Sequence, residues 1–142
     1  GLNLNFVEWN IFCDPDAAKI VFSSNINKIV AVTINVTSLT SLTEEEVNSL
    51  KNNNSKAIKL VYEAMMKWFK HYEFSSPVMH DPLTVASLID ESIINTQLCH
   101  LDVDLSKDGY TFINDNCPNN VYVSTSLNKE KFFKLFKETL GI

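Results

Sequence analysis

The sequence predicts an α/β fold, part of an open, mainly parallel sheet flanked by helices. Three observations predict it. Capped helix starts recur along the chain at Asp14-Pro15, Thr43, Ser55 and Asp81-Pro82. A nearly continuous apolar run over 29–34 suits a strand covered on both faces. The last third reads as strands and a turn closed by an amphipathic helix, so the two element types alternate.

Taken in order, Asp14 can accept the orphan N–H groups of a first turn, and Pro15 fits the first helical position. That helix runs through Ala17, Ala18, Ile20, Val21 and Phe22. Asn25 and Asn27 mark a turn. Ile29, Val30, Ala31, Val32 and Ile34 then form the covered strand. Thr43 and Glu46 make a capping box, and the acidic turn Glu44-Glu45-Glu46 suits the helix dipole. After the polar run Asn52-Asn53-Asn54, Ser55 caps a helix whose Ile58, Val61, Met65, Trp68 and Tyr72 share one face. Asp81-Pro82 starts a further helix by the logic of Asp14-Pro15. Leu98, Leu101, Val103 and Leu105 suggest a strand. Lys107-Asp108-Gly109 is a turn, and Tyr110, Phe112 and Ile113 are the returning strand. Val121 and Val123 suggest another strand. Asn128 caps a closing helix with Phe132, Phe133, Leu135, Phe136 and Leu140, ended by Gly141.

Composition bounds the function. The chain has 142 residues, 45% of them hydrophobic and 20% charged, the balance of a globular protein. No linker or repeat divides it, and no apolar run is long enough to cross a bilayer. No charged-then-apolar leader opens the chain, but it begins at Gly1 rather than Met, so the sequence leaves the compartment open, with the cytoplasm favoured. The net charge is -5, and every cation is a lysine. Arginine forks are the usual readers of guanine edges and phosphates, so nucleic acid is not an expected partner. Cys13, Cys99 and Cys117 are too far apart for metal-site spacing and odd in number, so they read as unpaired thiols. Two glycosylation triplets, at Asn35 and Asn53, match by pattern in an asparagine-rich chain.

Two segments could carry chemistry. Glu8-Trp9-Asn10 sets a carboxylate, an indole and an amide side by side, a natural grip for sugar hydroxyls. On composition alone an ordinary polar loop is the better explanation. His80-Asp81-Pro82 places a histidine, suited to proton transfer near neutral pH, beside a carboxylate at a helix start. From spacing alone a plain helix cap with an incidental neighbour is the better explanation. His71 and His100 belong to no motif. Asp102, Asp104 and Asp108 imitate a metal-binding aspartate cluster, but the alternation around them and Asp108-Gly109 read as a surface hairpin, with a weak cation site as the lesser alternative.

In order and rough spacing, four segments resemble the inosine–uridine nucleoside hydrolase family. They are Glu8-Trp9-Asn10-Ile11, Asp14-Pro15-Asp16-Ala17-Ala18, Ile34-Asn35-Val36-Thr37 and Pro77-Val78-Met79-His80-Asp81-Pro82-Leu83. The resemblance implies hydrolysis of the N-glycosidic bond of purine or pyrimidine ribonucleosides, giving base and ribose. It implies His80 as the acid that assists the leaving base. Glu8, Asn10 and Trp9 would meet the substrate. Asp81 would both bind a ribose hydroxyl and ligate Ca2+. It also implies a homo-oligomer in the complete enzyme.

The sequence departs from the family pattern in several places. Trp9 stands where phenylalanine is usual. Asn35-Val36-Thr37-Ser38 replaces Asp-Val-Thr-His. A further sugar-binding asparagine could be Asn3 or Asn5, at altered spacing. The aspartate cluster that supplies most calcium ligands and the water-activating base has no counterpart before Glu8. The expectation is that 1–142 is the C-terminal portion of a single nucleoside hydrolase domain, its N-terminal half absent. Such a piece exposes an apolar edge and does not turn over by itself. The alternative is a truncated, non-catalytic homologue acting as a binding or interaction domain.

Overall fold

The computed structural model describes residues 7–72 and 75–141. In chain order the elements are α1 (Trp9–Cys13), α2 (Pro15–Phe22), β1 (Val30–Ala31), α3 (Ile34–Thr37), α4 (Glu44–Asn48), α5 (Lys56–His71), α6 (His80–Ile89), β2 (Ile94–Cys99), β3 (Leu101–Asp104), β4 (Tyr110–Ile113), β5 (Val121–Leu127) and α7 (Lys129–Leu140), with single 3-10 turns at Glu91–Ile93 and Leu105–Lys107. The fold is α/β. It divides into two compact units, one of residues 1–36 and 94–126, the other of 37–93 and 127–142.

The first unit carries the strands. Its sheet is mixed, in the order β1-β5-β2. Val30 and Ala31 pair in parallel with Tyr122 and Val123. The Asn120 N–H donates to the Cys99 carbonyl at one end of β2, and Asn95 bonds Ser126 at the other, so β2 and β5 run antiparallel. Cys99, Leu101, Val121 and Val123 are buried together, with Phe22, Ile29, Ala31 and Ile113 packed against them. Asp14 caps α2 as expected, its carboxylate accepting the Ala17 N–H at 2.9 Å.

The strand expected over 29–34 is cut to two residues. Beyond Ala31 the backbone groups leave the ladder for side chains. The Thr33 N–H donates to Ser124 Oγ at 3.0 Å. The Ile34 N–H donates to Glu8 Oε1 at 2.7 Å. With its donors satisfied this way the chain turns directly into α3.

Strands β3 and β4 form the expected antiparallel hairpin, Leu101 opposite Ile113 and Asp104 opposite Tyr110. Leu105 leaves the strand for the 3-10 turn and is exposed. Asp108 and Gly109 both take positive φ, 50° and 79°. Glycine is needed at the second: a Cβ there would lie 3.1 Å from Ile11 and 3.2 Å from Pro15.

The second unit is mainly helical. The Thr43–Glu46 capping box forms with both of its bonds. Ser55 caps α5. Along α5 the half-buried stripe is Ile58, Val61, Met65 and Phe69, while Trp68 and Tyr72 are 41% and 47% exposed. The expected face therefore turns away at its C-terminal end. There Trp68 packs on Tyr72 and donates its indole N–H to the Ser75 carbonyl. Asn128 caps α7, and Gly141 ends it in the left-handed conformation. Phe132, fully buried, stacks with Phe136. The asparagine run also has a structural task. Asn53 accepts the Ser55 N–H and donates to the Leu140 carbonyl, tying the start of α5 to the end of α7.

Helix α6 starts earlier than its sequence suggests. The capping position is Met79, with no side-chain cap bond, and Asp81 lies inside the first turn. The backbone before it is already held by another segment. The Met79 N–H donates to the Thr40 carbonyl, and the Leu42 N–H donates to the Pro77 carbonyl. Ser41 and Val78 form an antiparallel bridge between these two bonds. That short ladder delivers His80 to the first helical position without an aspartate cap.

Candidate active site

The candidate residues fall in both units. In the first, Glu8 precedes α1 and is half-buried, with one carboxylate oxygen held by the Ile34 N–H. Trp9 is 73% exposed and tilts against Phe12, ring centres 5.8 Å apart. Asn10 is exposed on the same turn. A network lies behind Ile34. Thr33 donates its hydroxyl hydrogen to Asn35 Oδ1, and Ser124 Oγ lies 3.1 Å from Thr33 Oγ1. The Glu8 carboxylate thus meets the Ile34-Asn35-Val36-Thr37 motif by accepting the Ile34 N–H. Asn3 and Asn5, the alternatives for a further sugar-binding amide, lie outside the described residues.

In the second unit, His80 and Asp81 are exposed on the first turn of α6. His80 Nδ1 lies 2.7 Å from the hydroxyl of Thr37, which is 3% exposed. Thr40 fixes Thr37 in turn, its N–H and hydroxyl both donating to the Thr37 carbonyl. Thr37 stands in the matched motif with no role assigned to it by the sequence. The available signal was a hydroxyl in the matched motif. Its target, His80, lies 43 residues away and becomes visible only in the fold. Beside Asp81, a hollow of about 390 Å³ opens between α6 and α7, walled by Pro82, Val85, Phe132 and Phe136 among others. Its lining is almost wholly apolar, which does not suit a sugar.

The imitation of an aspartate cluster is a hairpin, as expected. Asp104 accepts from the Ser106 hydroxyl and N–H and pairs with Lys107 at 3.1 Å. The Ser106 hydroxyl, followed by Lys107, holds its carboxyl below the usual range. Asp102 accepts the Val103 N–H and sits 3.8 Å from Lys19. Among the described residues no group of three or more His, Cys, Asp or Glu side chains could hold a metal ion. The three cysteines are free, as expected, and burial pushes the Cys99 thiol up. His100 donates Nδ1–H to the Pro118 carbonyl, and His71 packs edge-on to Tyr72. Both have structural partners away from the motifs.

The profile of one family, described as inosine-uridine preferring nucleoside hydrolase, matches residues 3–134. The chain belongs to the nucleoside hydrolase family. A probable ribonucleoside hydrolase of Dictyostelium discoideum is 30% identical over 95% of this chain and 46% of its own length. An inosine-uridine preferring nucleoside hydrolase of Crithidia fasciculata is 27% identical over 99% of this chain and 48% of its own. Among solved structures, a purine-preferring ribonucleoside hydrolase from Gardnerella vaginalis superposes with a TM-score of 0.82 at 27% identity, covering 92% of this chain and 45% of that one. The chain spans about half the length of the nucleoside hydrolases it matches.

Proposed function

We propose that this chain supplies the sugar-binding and leaving-group side of a ribonucleoside hydrolase. Glu8 and Asn10 accept and donate hydrogen bonds to ribose hydroxyls, and Trp9 lines the substrate. His80 gives a proton to the base nitrogen as the N-glycosidic bond opens. The observation that carries this reading is His80 itself. It stands exposed at the head of α6, one ring nitrogen held by a buried hydroxyl, next to an exposed carboxylate, inside a family match that spans most of the chain.

The family resemblance makes Asp81 a calcium ligand in the whole protein. The described residues do not complete such a site. Calcium takes about six to eight oxygen ligands, and among the described residues no group of three or more His, Cys, Asp or Glu side chains could hold a metal ion. The remaining donors and the water-activating base would come from residues beyond those described, and this chain alone would not turn over. The relatives include purine-preferring and pyrimidine-specific enzymes, so both base classes belong in the assay.

The test compares leaving groups. A lost general acid costs roughly a hundred- to ten-thousandfold in rate. In the full-length protein His80→Ala should lose far more rate on inosine or uridine than on nitrophenyl riboside, whose leaving group needs little help. Equal losses would remove His80 from the role. No turnover of any riboside by the full-length protein would favour a non-catalytic binding domain.

A further inference from the structure

We infer that Thr37 is a positioning residue for His80, its buried hydroxyl occupying Nδ1 so that Nε2 is the nitrogen offered to substrate. This rests on the reading of His80 as the acid. The geometry is specific. Thr37 Oγ1 lies 2.7 Å from Nδ1, and Thr37 is 3% exposed while the histidine stands on the surface. The threonine cannot drift, because Thr40 holds its carbonyl by two bonds of 3.0 and 2.7 Å. The helix start carrying His80 is fixed to the same segment by the Met79 N–H on the Thr40 carbonyl and by the Ser41–Val78 bridge.

A hydroxyl can serve Nδ1 in either state of the ring, because it both donates and accepts. With the ring neutral and its hydrogen on Nε2, the Thr37 O–H donates to Nδ1; with the hydrogen on Nδ1, as just after Nε2 has given up its proton, Nδ1–H donates to Thr37 Oγ1. With the ring protonated, Nδ1–H donates to Thr37 Oγ1, and Nε2–H is the hydrogen passed to the base. The electron pair of the C1′–N bond leaves with the base, which takes that proton. Water supplies the hydroxyl at C1′, and the proton it sheds replaces the one given up. Throughout, the ring plane stays fixed by its Nδ1 bond. Orientation of this kind is worth large factors in rate, since small misplacements are costly.

The experiment has two arms and two substitutions, Thr37→Val, which keeps the shape and removes the hydroxyl, and Thr37→Ser, which keeps the hydroxyl. In the first arm, nitrogen-15 NMR of the His80 ring is recorded for the full chain at one fixed pH. Wild type and Thr37→Ser should show Nδ1 at a hydrogen-bonded position, and Thr37→Val should move it. Identical spectra in wild type and Thr37→Val overturn the inference. Should Thr37→Val fail to fold, wild type decides alone: a slowly exchanging Thr37 hydroxyl proton correlated to Nδ1 supports it, and its absence overturns it. In the second arm, full-length Thr37→Val should lose roughly ten- to a hundredfold in kcat on inosine. It should lose much less on nitrophenyl riboside, with little change in KM, and Thr37→Ser should restore the rate. His80→Ala separates the two ideas. If His80→Ala discriminates between the substrates and Thr37→Val does not, Thr37 has no positioning role. If neither discriminates, the assignment of His80 itself has failed.

Discussion

The carboxylate of Glu8 accepts the backbone N–H of Ile34 at 2.7 Å, at the point where β1 gives way to α3. A residue proposed to grip sugar therefore also holds the fold. Removing the acceptor strands a partly buried N–H, which costs about 1–3 kcal/mol. Glu8→Ala should destabilise the chain by that order in urea unfolding, and Glu8→Gln, which keeps an acceptor oxygen, by clearly less. Equal losses for the two variants would show that the charge, not the bond to Ile34, matters here.

The sugar grip is tested by the same gentle variant. Discrimination against deoxynucleosides arises because polar groups are left unpaired, each worth about 1–3 kcal/mol. In the full-length protein Glu8→Gln and Asn10→Ala should narrow the gap in kcat/KM between ribo- and deoxyribonucleosides. Wild-type selectivity in both variants would assign the segment to structure alone.

Calcium binding should depend on residues beyond those described. One carboxylate, Asp81, offers little charge to offset the dehydration of the ion. Calorimetry of this chain with calcium should show no tight binding, and prolonged incubation should leave inosine intact. In the full-length protein calcium should bind, and Asp81→Asn should weaken it. Tight binding by the chain itself would place the metal elsewhere, and Asp102 and Asp104 would be the first residues to mutate.

The capping box of α4 gives a pH signature. The Thr43 N–H, together with Lys137 at 3.2 Å, holds the Glu46 carboxyl below its ordinary value of 4.5. A carboxylate depressed in the folded state stabilises it above the unfolded pKa, and that contribution is lost as pH falls through the folded one. The stability gap between wild type and Glu46→Gln should be full near neutral pH and shrink on acidification below about 4.5. Thr43→Ala should cost about 0.5–2 kcal/mol at neutral pH by loss of the cap. A gap that is constant from pH 7 to 3 would contradict the bond.

The hairpin turn offers a sharper test of packing. Gly109 combines φ of 79° with backbone and side-chain neighbours at 3.1–3.2 Å from a would-be Cβ. A left-handed conformation costs a non-glycine residue roughly 1–2 kcal/mol, and the contacts with Ile11 and Pro15 add to it. Gly109→Ala should lower the urea midpoint, whereas Asp108→Gly should preserve or raise it. A neutral Gly109→Ala would mean that the turn does not pack against the start of α2.

The sequence by itself determined the elements whose physics is local. Asp14, Thr43, Ser55 and Asn128 announce their helices because each cap bonds a backbone N–H three residues on. Asp108-Gly109 announces the hairpin because few residues tolerate positive φ. Motif order also pointed to the family. Tertiary structure decided what depends on distant partners. Ser124 and Glu8 take the N–H groups of Thr33 and Ile34, from 91 and 26 residues away, and so end a strand that the apolar pattern would have continued. The Ser41–Val78 bridge starts α6 at His80 without the aspartate cap that local rules favour. Thr37 reaches His80 only because that bridge joins their two segments. Periodicity records which face a residue prefers; it holds no record of which remote donor or acceptor will meet it.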